Sequence, residues 1–118
     1  MSQDVIEVVS YNAEWPFIFA TEKDILQPLL TKIKTQSIEH IGSTAVKNLA
    51  AKPTIDILIG VKTLTDVDPF IPEFKHYGYN YLKSYEKDFP YRRYFRKLQN
   101  HKHLFHLHVV EFDGYFYQ

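Results

Sequence analysis

The residue types best suited to chemistry fall in two short runs, Glu39-His40-Ile41-Gly42-Ser43-Thr44-Ala45-Val46 and Lys52-Pro53-Thr54-Ile55-Asp56-Ile57. A glycine followed by small hydroxyl residues lets the backbone approach a ligand closely, and amides at a helix start present partial positive charge to a phosphate. Gly42, Ser43 and Thr44 are therefore phosphate-binding candidates, through Ser43 and the amides of residues 42–45. Asp56 is anomalous in a different way, as a lone carboxylate inside an apolar strand. Leaving it ionised and unpaired costs on the order of several kcal/mol, so a donor such as Lys52 or a divalent metal has to answer it. The same residues have a structural reading, in which Gly-Ser-Thr caps a short helix and Asp56 bonds a neighbouring turn.

Two further clusters carry chemistry. His106 and His108 share one face of a strand, and imidazole is a common metal ligand. His101 and His103 flank Lys102 in an expected turn, where solvated histidines are ordinary. The chain has no cysteine to complete a structural zinc set. Arg92, Arg93 and Arg96 with Lys97 form a dense basic cluster among Tyr91, Tyr94 and Phe95. Strand alternation sends Arg92, Tyr94 and Arg96 to one face and Arg93, Phe95 and Lys97 to the other, so one set faces a phosphate cleft and the other solvent or an edge. Basic and aromatic mixtures also bind single-stranded nucleic acid, but zero net charge argues against that partner, and cross-strand packing accounts for the aromatics.

Elements must position these groups. Residues 5–9 read as a short strand. Pro16 then opens a helix in which Ile18, Phe19, Glu22, Ile25, Leu26, Leu29 and Ile33 recur at spacings of three and four. Pro28 lies inside that pattern and predicts a kink or break. Strands follow at 37–41 and 54–61, and a helix at 66–76 is weakened by Pro69 and Pro72 and ended by Gly78. Residues 79–82, 91–98 and 104–112 are aromatic, β-branched and alternating, with turns at 88–90 and 99–102. A helical start feeding adjacent strands predicts an α+β fold, one sheet covered on one face by helices.

The 118 residues are one domain's worth of chain, and 45% apolar against 24% charged residues match a water-soluble globule. Fourteen basic and fourteen acidic side chains leave no global field for nucleic acid or an anionic membrane, so any anion site is local. No apolar run approaches the roughly 18 residues needed to cross a bilayer. The N-terminal residues lack the charge-then-apolar pattern of a signal peptide, and a cytoplasmic location is the resulting expectation.

The motifs together resemble the GrpB family. Its pattern of an early Tyr and Trp, then Glu-His-Ile-Gly-Ser-Thr-Ala-Val, Lys-Pro and Ile-Asp matches Tyr11, Trp15, residues 39–46, Lys52-Pro53 and Ile55-Asp56. It continues through Gly78-Tyr79 and Arg92-Arg93 to His106-Leu107-His108-Val109-Val110. The resemblance implies one nucleotidyltransferase-like domain over 1–118, of the DNA polymerase beta superfamily fold, with a mixed, largely antiparallel sheet and helices mainly on one face. That superfamily carries Gly-Ser and then a strand with Asp-x-Asp or Asp-x-Glu, places held by Gly42-Ser43 and Asp56. Two positions beyond Asp56 stands Leu58, where a second metal carboxylate is expected. Lys47-Asn48 replaces the family's common Pro-Gly, and Asn48 tolerates a left-handed backbone.

The implied activity is Mg²⁺-assisted nucleotidyl transfer from a nucleotide or phosphorylated ligand to an unknown acceptor. Asp56 would hold the metal, with Glu39 or Glu111 supplying the missing oxygen. Ser43 and Lys52 would act at the reacting group, and Lys52, Arg92 and Arg93 would neutralise it. His40 belongs to the motif, and His106 or His108 would approach the Asp56 strand. A catalytically inactive ligand-binding module and a structural or chaperone-like domain are the alternatives. The family also implies further C-terminal helices where this chain has Tyr115-Phe116-Tyr117-Gln118, so those aromatics would fold back or a second copy would cover the sheet, giving a homo-oligomer.

Overall fold

A computed structural model describes residues 7–112. The helix α1 (Trp15–Lys32) precedes β1 (Thr35–Ile41) and β2 (Ile55–Val61). There follow α2 (Ile71–His76), β3 (Asn80–Tyr81), β4 (Arg93–Gln99) and β5 (Lys102–Glu111). Single 3₁₀ segments lie at Ser43–Ala45, Leu64–Phe70 and Lys83–Glu86. The strands form one sheet in the order β1-β2-β5-β4-β3. Only β2 and β5 run parallel; the other three pairings are antiparallel. The α+β architecture expected from the sequence is the one observed.

Asn12 sets the start of α1, its side-chain oxygen accepting from the Glu14 amide at 2.8 Å and its carbonyl from the Trp15 amide at 3.1 Å. The helix does not break at Pro28. That proline is exposed, whereas Leu26, Leu29, Leu30 and Ile33 are buried on both sides of it. An interior proline costs about 3 kcal/mol. Burying each of those aliphatic side chains returns about 1.5–3 kcal/mol, so packing holds the helix straight through the missing bond. The expected helix at 66–76 divides: Pro69 sits in the 3₁₀ segment and Pro72 in the first turn of α2, where a missing amide hydrogen does no harm. Of the expected strand at 5–9, residues 5 and 6 lie outside the described part, and Val9 makes an isolated bridge to Ala51. The aromatic tail Tyr115-Phe116-Tyr117 also lies outside it.

Alternation divides the sheet into two faces. Ile55, Ile57, Ile59 and Val61 of β2 join Phe105, Leu107 and Val109 of β5 and Phe95 of β4 in a core covered by both helices. Phe74 of α2 stacks on Phe95 at 4.1 Å. The opposite face carries the polar residues of the same strands. Across it Ile41, Asp56, His106 and Arg96 stand in register on four adjacent strands, and beside them Glu39, Leu58, His108 and Tyr94 form the next row. Asn100 and His101, with φ of 51° and 64°, close the β4–β5 hairpin in the doubly left-handed turn that suits twisted strands.

Candidate functional site

The site is built at the end of β1, where the chain leaves the sheet at Gly42 and turns back over β2. Gly42 adopts φ 76° and ψ −170°, a backbone region open essentially to glycine alone. A Cβ there would stand 2.7 Å from Oδ2 of Asp56, so the bend lies directly against the carboxylate. Behind the bend, buried Thr44 donates its hydroxyl to the Thr54 carbonyl at 3.3 Å and stands 2.9 Å from Nε2 of His40. The one Thr44 proton is spent on Thr54, so His40 donates from Nε2. Burial lowers the His40 pKa, against the opposing pull of Asp56. These contacts fasten the bend to β2.

Asp56 faces the open side of the sheet. Its Oδ1 lies 3.2 Å from Nε2 of His108 and 3.4 Å from Nδ1 of His106. Burial pushes its pKa up, but the hydrogen bonds from His106 and His108 and the charge of these rings in acid outweigh burial and bring it down to about 2. Each imidazole has an outer partner. Nδ1 of His108 is 3.2 Å from Nη1 of Arg92, and a guanidinium only donates, so this nitrogen accepts and Nε2 carries the proton given to Asp56. Nε2 of His106 is 2.7 Å from Nδ1 of His103. Asp56 is thus the centre of a hydrogen-bonded chain from Arg92 to His103. A hollow of about 400 Å³ opens beside it, lined by Ser43, Lys52, Thr54, Asp56 and His106 together with Val8, Ala50 and Ala51.

The structure therefore brings Gly42, Ser43, Lys52, Asp56 and His106 to one place, with His108 and Arg92 directly behind. It separates the other candidates from them. Arg93 points to the helix-covered face, where its Nε and Nη2 hold Asp68 at 2.8 and 3.4 Å and Glu86 lies at 3.3 Å, so it is not a phosphate ligand at this site. Glu111 lies on that same side and accepts the Leu64 amide at 3.0 Å, which places it away from any metal at Asp56. Thr44 and His40 turn inward and support the bend rather than line the hollow. The Ala45 amide is spent on the Gly42 carbonyl at 3.1 Å. Glu39 is exposed on the open face opposite Leu58, one row from Asp56. The face holding Arg93, Phe95 and Lys97 is interior and not solvent or edge: Phe95 is in the core, and Lys97 reaches buried Glu22 at 3.1 Å.

Magnesium takes hard oxygen donors in near-octahedral array. Here one Asp56 oxygen is claimed by two imidazoles, the other lies against Gly42, and Leu58 occupies the position of a second carboxylate. Among the described residues no group of three or more His, Asp or Glu is arranged to hold a metal. The donor set does not fit Mg²⁺.

His103 was legible in the sequence only as a turn residue. The β4–β5 register slips by one between the pairs Lys97–Phe105 and Leu98–His103, and this slip places His103 on the face of His106. Nothing in the local residues signals it.

Comparison with known proteins places the sequence and the fold. The sequence pattern of the family described as GrpB protein matches residues 5–117. The chain belongs to the GrpB family. It is 39% identical over 106 residues to UPF0157 protein YqkA of Bacillus subtilis, covering 90% of this chain and 30% of the relative. It is 37% identical over 111 residues to the glutamate-rich protein GrpB of Alkalihalophilus pseudofirmus, covering 91% of this chain and 62% of that protein. The crystal structure of conserved protein GrpB from Enterococcus faecalis superposes with a TM-score of 0.83 at 39% identity, over 92% of this chain and 63% of that one. The chain thus spans less than two thirds of the length of these GrpB relatives. No helix among the described residues is long and apolar enough to cross a membrane.

Proposed function

We propose that this GrpB-family chain binds a phosphorylated small molecule, nucleotides included, as a ligand-binding module rather than a metal-dependent nucleotidyl transferase. The observation that supports the reading is the single hollow lined by Ser43, Lys52, Asp56 and His106, with the Gly42 bend pressed against Asp56. Lys52 supplies the positive charge at the rim and Ser43 a hydroxyl. Asp56 orients His106 and His108, whose hydrogen bonds occupy its Oδ1. Without a second carboxylate to bring metal ions to the reacting phosphate, the chemistry best served is recognition.

Calorimetry with ATP and with inorganic phosphate, each with and without Mg²⁺, tests this. Binding independent of Mg²⁺, weakened about tenfold or more in Lys52→Ala and without pyrophosphate release, is the expected result; each tenfold is about 1.4 kcal/mol. Mg²⁺-dependent pyrophosphate release from ATP would restore transfer in its place, and no binding of either probe would end the reading.

A further inference from the structure

The open face beside Asp56 carries two guanidinium groups whose Nε edges no carboxylate among the described residues takes. The chain has three arginines, at 92, 93 and 96. Arg93, on the helix side, shows what a guanidinium edge requires: its Nε and Nη2 take the two oxygens of Asp68. Arg92 and Arg96, on the open face, have no such partner at the same edge. Their Nε atoms are buried and make no hydrogen bond among the described residues. The Arg92 guanidinium lies over the Phe89 ring at 4.9 Å and the Tyr94 ring at 4.8 Å, and uses Nη1 on His108. Arg96 stands in register with His106, one strand from it and two strands from Asp56. Tyr94 lies between the two arginines in sequence and on the same face, in ring contact with His106 and His108.

A planar guanidinium packed between aromatic rings is fixed in direction and offers its side edge as a two-toothed fork for carboxylate or phosphate. We propose that Arg92 and Arg96 form a second oxyanion subsite, and that the ligand held in the Ser43–Lys52 hollow carries a second carboxylate or phosphate that reaches it. This rests on the reading of the hollow given above. Two strand spacings separate Asp56 from Arg96, about 10 Å, so the ligand is a bis-anionic molecule of that span rather than a compact monoanion.

The test observes the arginine Nε–Hε resonances of the isotope-labelled full chain, of which there are three, assigned with Arg92→Lys and Arg96→Lys. Inorganic phosphate and acetate are titrated separately, and fructose bisphosphate serves as the long bis-anion. The Arg92 and Arg96 signals should move saturably while Arg93, already on Asp68, stays still; response to phosphate alone or to acetate as well identifies which oxyanion the fork prefers. Fructose bisphosphate should move Ser43 and Arg96 with one midpoint, and Lys52→Ala should raise that midpoint about tenfold for both. Still signals at Arg92 and Arg96, or all three moving together as they do with sodium chloride, overturn the proposal. So does an Arg96 midpoint untouched by Lys52→Ala. The two readings fail separately: a shift at Ser43 with silent arginines removes the subsite alone, and responsive arginines with a silent Ser43 remove the hollow and the shared ligand.

Discussion

Replacing Gly42 with alanine tests the closest contact in the site. Its backbone, at φ 76° and ψ −170°, lies where a residue with a side chain pays about 1–3 kcal/mol in strain. The added Cβ would also meet Asp56 Oδ2 at 2.7 Å and its Cβ and Cγ at 3.3 Å. Asp56 sits in a central strand and is tied by His106 and His108, so it gives way only by loosening hydrogen bonds worth about 1 kcal/mol each or more. The sum is about 2–4 kcal/mol, a fall in Tm of about 10 °C for a domain of this size. Urea titration and calorimetric melting of Gly42→Ala against the parent chain measure it. Gly78→Ala is the control: φ there is +91°, but the neighbour at 3.1 Å is Cε of Lys97, the far end of a flexible chain, so the loss should be smaller, about 1–2 kcal/mol. A Gly42→Ala stability within about 0.5 kcal/mol of the parent would refute the account of the bend.

The remaining expectations concern the same network and its opposite face. Asp56 titrates lower in the fold, at about 2 instead of 3.8, so it contributes stability above pH 3.8 that is lost as pH falls toward 2; Asp56→Asn should flatten that acid limb by about 2 kcal/mol in pH-dependent urea unfolding. His40 acts in the same direction at higher pH: burial holds its folded pKa below 6.5, the unfolded chain binds the proton more readily, and stability falls as pH drops below 6.5, a slope that His40→Gln should reduce. Thr44→Val keeps the volume but orphans the buried Thr54 carbonyl and removes the His40 partner, costing about 1–3 kcal/mol in urea unfolding. Arg93→Ala should destabilise by about 1–2 kcal/mol, the scale of hydrogen bonds to part-exposed carboxylates, and open the Lys83–Glu86 region to limited proteolysis, because it abandons Asp68 and Glu86, while at temperatures where it stays folded it should not change any phosphate binding at the hollow.

The local residues alone determined a good deal. Spacings of three and four placed α1, alternation placed the strands of the second half, and Gly42-Ser43 and Asp56 stood out because a glycine before hydroxyls and a carboxylate in an apolar strand are costly unless used. Alternation also split Arg92, Tyr94 and Arg96 correctly from Arg93, Phe95 and Lys97, since parity is a property of one strand. Which of those faces met the helices was not legible, because burial depends on what packs above, and the ion pairs of Arg93 with Asp68 and of Lys97 with Glu22 join residues distant in the chain. Pro28 could not be read as harmless without the core that holds both flanks of α1. His103 reached His106 only through a register slip, which is settled by pairing between strands and not by either strand. Glu39 and Glu111 look equivalent in the sequence, yet the sheet sends one to the open face and turns the other to the Leu64 amide. Covalent order thus decided which side chains share a strand face, and tertiary packing decided which of those faces became core and which was left uncovered by the helices.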